Sequence, residues 1–333
     1  MQKMQLLLGD QAFSVPVDTK SSLLDQVLSQ GLRVNYSCRR GDCGQCVGTL
    51  LEGRVDPQDP AKAFLRDADV YLCNALPRSD LTIRLPYSPE TAHVKVLRTP
   101  CKIHELTRLS EDVLEVSLHL PPSVEFRYVP GQYLRLTNKD RVSRSYSLAQ
   151  AAALDKLLFI HVRRIDAGAF SDYLFSRARP GDLLQIEGPM GRFVLPDVEA
   201  VSRTIFLATG TGIAPIHAIL SGLSLGQRQR SGELFLYWGN RIRADAYFQG
   251  RLESLVQNLD LRYRAVFSRE SLGDSEFRPR HVQDLMAAEH AGAIHEARVF
   301  ASGNLAMIDA ARELSRLLGL PPERFHADPF TAS

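Results

Sequence analysis

Cys38-Arg-Arg-Gly-Asp-Cys43-Gly-Gln-Cys46, followed much later by Cys73, spells C-x4-C-x2-C…C, and no other feature of the chain constrains its fold so strongly. Three thiols in one tight loop, with a fourth returning from a distant segment, suit a [2Fe–2S] cluster, whose two irons take two thiolates each. Gly41 and Gly44 let that loop run close to the inorganic sulfides, where backbone N–H groups can donate. A zinc site is the main alternative, although structural zinc usually shows paired CxxC knuckles. Buried core thiols are the third reading. Five cysteines in 333 residues make no disulfide scaffold, and the odd count fits a reducing compartment. Cys101 stands apart and is expected to be an inert buried thiol.

At ~150 residues per domain the length suggests two or three domains. Hydrophobic residues at 44% and charged residues at 23% argue for packed cores rather than a disordered chain. Forty Lys+Arg against 38 Asp+Glu leave +2, with no charge run long enough for a nucleic-acid tail or a membrane-surface arm. No apolar stretch approaches the ~20 residues that span a bilayer, and the start lacks the features of a secretory signal. A cytoplasmic protein, without nucleic-acid or membrane partners, is expected.

Three rhythms follow one another along the chain. Residues 4–17 alternate around a Gly9-Asp10 turn, which is a hairpin signal. Ser21 and Ser22 can cap a short helix with Leu24, Val27 and Leu28 on its apolar face, stopped by Gly31. Short strands are expected near 46–51 and 81–85, and Pro86, Pro89 and Pro100 mark a linker. From about 101 to 197 the period is two. Val113–Leu120, Tyr133–Thr137, Ser145–Ala149, Leu157–Arg163 and Leu183–Glu187 read as strands of a small antiparallel barrel or sandwich. From 203 onward, strands near 204–208, 233–238, 262–267 and 297–301 alternate with helical stretches, the last at about 305–318. That alternation implies a parallel sheet with helices on its faces.

Two further groups of residues carry chemistry. Arg144-Ser145-Tyr146-Ser147 lies in a barrel strand, where a cation, an aromatic wall and a hydroxyl at alternate positions suit a flavin. An exposed strand with a structural arginine is the alternative. Gly168-Ala-Phe170-Ser171 precedes an apparent helix and offers an anion site for a pyrophosphate. Thr209-Gly210-Thr211-Gly212-Ile-Ala-Pro215 follows a buried strand and opens a helix, which suits a dinucleotide pyrophosphate, although a tight turn alone would look similar. Ser302-Gly303 ends a later strand at the sheet edge where ligands of open α/β sheets lie.

In this order, the three groups resemble the ferredoxin-linked reductases of the ferredoxin–NADP reductase superfamily, over essentially the whole chain. The resemblance implies an α+β, β-grasp plant-type [2Fe–2S] ferredoxin domain at 1–92, a linker at 93–100, an antiparallel FAD-binding β-barrel at 101–198 and an α/β NAD(P)-binding domain at 199–333. Leu120-Pro-Pro122, Gly131-Gln-Tyr133, His161-Val-Arg163, Ile186-Glu-Gly-Pro189, Tyr237-Trp-Gly239, Gly303-Asn-Leu-Ala-Met307 and Phe325-His-Ala-Asp-Pro-Phe330 are similar to the CDP-6-deoxy-Δ3,4-glucoseen reductases of deoxysugar biosynthesis. That family passes electrons from NAD(P)H through FAD and the cluster to a pyridoxamine-phosphate (PMP)-dependent sugar dehydrase. Reductases of mono- and dioxygenases share the domain order and are the alternative.

The resemblance also implies residue roles. Cys38, Cys43, Cys46 and Cys73 would hold the cluster. Arg144 would hold the flavin pyrophosphate, Tyr146 would pack on the isoalloxazine and Ser147 would sit near N5. Ser145, His161, Arg163, Gly168, Phe170, Ser171 and the C-terminal Phe330 would complete the FAD site. Thr209, Gly210, Thr211, Gly212, Pro215, Ser302 and Gly303 would bind NAD(P), with Ser147 and Ser302 as the catalytic positions. Ser302-Gly303 departs from the family's usual Cys-Gly. Asn240-Arg241-Ile242-Arg243 leaves NADPH open beside the NADH that the family favours. Arg39 and Arg40 flank the cluster loop and could steer an acidic partner.

Overall fold

The computed structural model describes residues 2–32, 34–62, 68–152, 154–197, 199–270 and 281–331. The expected boundary at 198 lies outside them. Contacts separate the chain into two units that divide between Val96 and Leu97.

The first unit is a sheet ordered β2-β1-β7-β3-β5. It contains β1 (Gln2–Leu8), β2 (Gln11–Val17), β3 (Val47–Glu52), β5 (Asp69–Tyr71) and β7 (Leu81–Leu85). β4 (Val55–Pro57) and β6 (Ala75–Pro77) pair separately. Gly9 turns β1 into β2 at φ +57°, where glycine carries no Cβ penalty. Helix α1 (Leu23–Ser29) buries Leu23, Leu24 and Val27 and is capped by Ser22, whose hydroxyl accepts from the Asp25 N–H at 3.1 Å. A single turn, α2 (Pro89–Ala92), follows the sheet.

The second unit begins with β8 (Leu97–Arg108), so residues 97–100 are strand rather than linker. Pro100 is tolerated because this end of β8 pairs only with β13 (Leu183–Met190), while β9 (Val113–His119) joins from Lys102 onward. With β10 (Tyr133–Thr137), β11 (Ser143–Ser147) and β12 (Leu157–Arg163) the order is β11-β10-β13-β8-β9-β12. A Leu148–Ile160 bridge closes the barrel. β11 sits two residues earlier than its apolar pattern suggested. β9 also departs from simple alternation, because Glu115 and Ser117 are buried along with Val113, Leu114, Val116 and Leu118. Its second face meets the following lobe instead of water. Helix α3 (Ala169–Asp172) continues into one wide turn at Tyr173–Arg177.

The remaining strands β14 (Arg203–Thr209), β15 (Glu233–Asn240), β16 (Leu261–Phe267), β17 (Ala297–Asn304) and β18 (Phe325–Phe330) form a wholly parallel sheet ordered β16-β15-β14-β17-β18. Along β14, Phe206 and Ala208 enter one core and Ile205 and Leu207 the opposite one. This period-two split is what a strand covered on both faces requires. Helices α4 (Ile213–Ser221), α5 (Leu225–Arg230), α6 (Gln249–Leu259), α7 (Val282–His290) and α8 (Leu305–Leu317) complete the lobe. Strand order reverses between β14 and β17, and ligands of such sheets lie outside the C-terminal ends of the strands at that switch point.

Candidate functional site

The cysteine loop is shaped around sulfur. Gly41 and Gly44 hold φ +75° and +70°. The N–H groups of Arg40, Asp42 and Cys43 donate to Cys38 Sγ at 3.4 Å, and the Gly41 N–H donates to Cys73 Sγ at 3.2 Å. The thiols interact as two pairs. A hydrogen bond from Cys43, helped by the backbone donors, holds the Cys38 thiol down to about 5, and Cys43 is pushed up in return. Cys73 is lowered by Cys46, which is likewise raised. Two pairs of thiols ringed by N–H donors fit a dinuclear cluster, which takes two thiolates on each iron. Cys101 is buried in the barrel core and pushed up to about 12 by desolvation, an inert thiol.

The loop's cations are largely spoken for. Arg39 pairs with Asp25, while Arg40 and Lys62 sit 3.4 and 2.7 Å from Asp42. The partner-steering charge expected of Arg39 and Arg40 is therefore mostly compensated within the module.

On β11, strand alternation puts Arg144 and Tyr146 on one face and Ser147 on the other, so the three do not point together. The Tyr146 ring packs on Phe170 at 5.8 Å, and Ser145 is half-buried between the two faces' neighbours. Ser147 turns to the parallel-sheet lobe and donates to Asp328 Oδ2 at 2.7 Å. Three residues expected at the flavin also make structural contacts. Phe170 is a core residue of the barrel. The Ser171 hydroxyl closes its own turn, accepting from the Ile165 N–H and donating to the Gly168 carbonyl. A Cβ on Gly168 would strike that hydroxyl at 2.7 Å. His161 is fully enclosed, with Nδ1 3.0 Å from the Tyr247 hydroxyl, and burial lowers its pKa. It packs barrel against lobe.

At the switch point, the loop after β14 and the end of β17 touch backbone to backbone. A Cβ on Gly212 would lie 2.2 Å from the Ser302 carbonyl oxygen, and one on Gly303 (φ +122°) 2.3 Å from Thr209 Oγ1. Thr209 Oγ1 accepts from the Asn304 N–H at 2.8 Å, and Trp238 Nε1 donates to the Gly210 carbonyl at 2.9 Å. Gly210, Thr211, Gly212 and Pro215 are buried. Gly212 and Gly303 are thus required first by the strand crossing.

Around that crossing, polar groups are left over. Ser302 Oγ, both polar atoms of Asn240 and Nη2 of Arg163 are buried without a hydrogen-bond partner among the described residues. The Arg163 guanidinium lies over Gly210, within 2.8 Å of where a Cβ would be. Orphaned donors and acceptors at the C-terminal sheet edge fit a polar dinucleotide that completes them. Asp328, the register partner of Ser302, is buried, and desolvation pushes its carboxyl up to about 7. Phe330 ends the same strand opposite Asn304. The sequence does not single out Asp328, and it marks Asn240 only within the stretch read for cofactor choice. Asp328 lay inside a stretch noted only for its similarity, and its interest depends on Ser147, 181 positions away.

Comparison with known proteins agrees with this three-part layout. Residues 8–78 match the 2Fe-2S iron-sulfur cluster binding domain, 100–195 the oxidoreductase FAD-binding domain and 206–313 the oxidoreductase NAD-binding domain. The chain is 32% identical to the CDP-6-deoxy-L-threo-D-glycero-4-hexulose-3-dehydrase reductase of Yersinia pestis over 95% of each chain. It is 29% identical to reductase component 2 of a terephthalate 1,2-dioxygenase from Comamonas, covering 98% of this chain and 97% of the relative. Among solved structures, the Amycolatopsis cytochrome P450 reductase GcoB superposes with a TM-score of 0.75 at 27% identity, covering 99% of both chains.

Proposed function

The chain belongs to the family of [2Fe–2S] flavoprotein reductases that includes the CDP-6-deoxy-L-threo-D-glycero-4-hexulose-3-dehydrase reductases, and from that premise we propose that it delivers electrons from NADH to a PMP-dependent CDP-4-keto-6-deoxyhexose 3-dehydrase. It is an NAD(P)H-dependent oxidoreductase of three cofactors: FAD, the [2Fe–2S] cluster and NAD(H). The observation that carries the sugar assignment is the 32% identity to the Yersinia reductase, sustained through 95% of both chains and so through all three parts.

Bound flavin supplies the conversion between two-electron hydride transfer and the cluster's one-electron chemistry. The protein's part is placement. Arg144 offers the flavin phosphate a cation, and Tyr146, braced by Phe170, offers its ring a wall. Ser147 and Asp328 manage one proton. Ionised Asp328 holds the Ser147 hydroxyl proton on Oδ2; protonated Asp328 donates to Ser147 Oγ and frees that hydroxyl. Ser302 and Gly303, with Asn240, receive the nicotinamide nucleotide, and Arg163, expected at the flavin, instead reaches over Gly210 to the nucleotide side. Thr209 to Gly212 line its pyrophosphate side through backbone N–H groups.

NADH suits the end of β15 better than NADPH. Arg241 is committed to Asp112 at 3.0 Å and Asp245 at 2.9 Å, which leaves it poorly placed to take a 2′-phosphate. We place the protein in the cytoplasm, which suits five cysteines of which none is in a disulfide. Among the described residues no helix is long and apolar enough to cross a membrane.

The test is anaerobic reconstitution from purified reductase, NADH, the PMP-dependent dehydrase and a CDP-4-keto-6-deoxy sugar. Deoxygenated sugar that requires every component is expected. Brisk NADH-dependent dye reduction without sugar product would overturn the dehydrase assignment and direct it to an oxygenase, the partner in the name of the Comamonas relative.

A further inference from the structure

Barrel and parallel-sheet lobe have separate cores, yet hydride transfer between a nucleotide on one and a flavin on the other tolerates little relative movement. Beside aromatic packing on Tyr247 and Phe248, polar groups tie the seam. Glu115, on β9 of the barrel and only 7% exposed, receives both arms of Arg251 from α6 of the lobe, at 2.5 and 2.9 Å. Its cross-strand partner His161 brings Nε2 to 3.4 Å from the same carboxylate and Nδ1 to 3.0 Å from the Tyr247 hydroxyl of the lobe. His217 on α4 adds a bond to the Ala149 carbonyl at 2.8 Å. An apolar seam of the same area can slide, because dispersion has no preferred direction. A two-armed guanidinium–carboxylate fork has one register only.

We propose that the Arg251–Glu115 fork, backed by His161, is a positioning latch that sets the lobe against the barrel at the hydride-transfer distance. Arg251 is half exposed and touches none of the orphaned groups at the sheet edge, so it acts on the reaction through geometry. The inference rests on the reading of the chain as an NADH–flavin reductase.

Holoenzyme variants Arg251→Ala, Arg251→Lys and Glu115→Gln are assayed for FAD and iron, then mixed with NADH under anaerobic stopped flow. With both cofactors retained, Arg251→Ala is expected to slow maximal flavin reduction by roughly tenfold or more, with half-saturating NADH changing by less than about twofold. Arg251→Lys keeps a charge without the fork and should fall between. The Glu115→Gln/Arg251→Ala double variant should be no slower than the worse single. Hydrogen exchange should quicken in α6 and β9 and remain slow in the two lobe cores. A wild-type maximal rate in Arg251→Ala, full rescue by lysine, a loss confined to NADH affinity, or exchange that quickens throughout the lobe would each overturn the latch. Failure of the wild type to reduce flavin with NADH would instead sink the parent reading, and the latch with it. Arg316→Ala, which removes an exposed pair on α8, serves as the unaffected control.

Discussion

The cluster loop and the C-terminal edge of the parallel sheet are both glycine-rich turns that receive redox groups, yet they are built by opposite routes. Three of the cluster's thiols and most of the N–H donors around them come from residues 38–46, so one loop largely makes the site. The sheet edge is assembled from the ends of β14, β15, β17 and β18, plus Ser147 and Arg163 from the neighbouring barrel. The glycines differ accordingly. Gly41 and Gly44 are there for positive φ beside sulfur, with no backbone atom crowding the missing Cβ. Gly212 and Gly303 are there because another strand's backbone occupies the place of a side chain. A local site should fail locally when altered, and an assembled one should fail together with its lobe.

The largest effect should come from Cys43→Ser. Loss of one thiolate removes the cluster, so one-electron transfer to a cluster-dependent acceptor should drop to background while NADH still reduces the flavin. Absorbance and iron content together with stopped-flow rates check this; parallel loss of flavin reduction would show that the module is not a separate exit path. Gly212→Ala should break the other side of the comparison. Its methyl would lie 2.2 Å from the Ser302 carbonyl oxygen, a backbone clash expected to cost about 3 kcal/mol of stability along with nucleotide binding. Unaltered thermal melting with weakened NADH binding would instead assign this glycine to the ligand.

Asp328 sharpens the comparison through pH. Its carboxyl rises from 3.8 to about 7 in the folded chain because it is desolvated. The open chain therefore ionises it more readily than the fold does. Its contribution is intact below pH ~4 and is lost as pH climbs through 7, to the extent of about 4 kcal/mol for a fully buried group. Asp328→Asn should flatten that slope in denaturant titrations across this window, and should remove an apparent pKa near 7 from the pH profile of flavin reduction. A profile with the same inflection in the variant would place the titrating group elsewhere. The smallest effect is expected of Ser302→Cys. The Ser302 hydroxyl is buried with no partner among the described residues, so its loss breaks no bond seen there, while the larger, more polarisable sulfur should tighten nicotinamide placement and raise flavin reduction about twofold. An unchanged or slower rate would count against it.

Legibility in the sequence followed the same divide. Cysteine spacing, the Ser22-capped helix and the change from period two to strand–helix alternation were all readable, since each depends on neighbours along the chain. β8 and β18 were not, because Pro100 and Pro329 interrupt their pattern and only the position of each proline in the sheet makes it harmless. Phe170, Ser171 and His161 carry the right chemistry for a flavin site, and the fold also gives each a structural contact, in the core, a turn and the lobe seam, that no local pattern announces.

By itself, the sequence determined that this chain has a cluster loop, a barrel and a nucleotide sheet, and therefore that it moves electrons. Short-range patterns of glycine, thiol and apolar spacing carry those properties. Only the tertiary structure decided that Ser147 meets Asp328, that Ser302 finds no partner beside it among the described residues, and that Arg251 locks onto Glu115. Contacts between residues more than a hundred positions apart arise when strand order and lobe packing bring them together, and no local pattern records that.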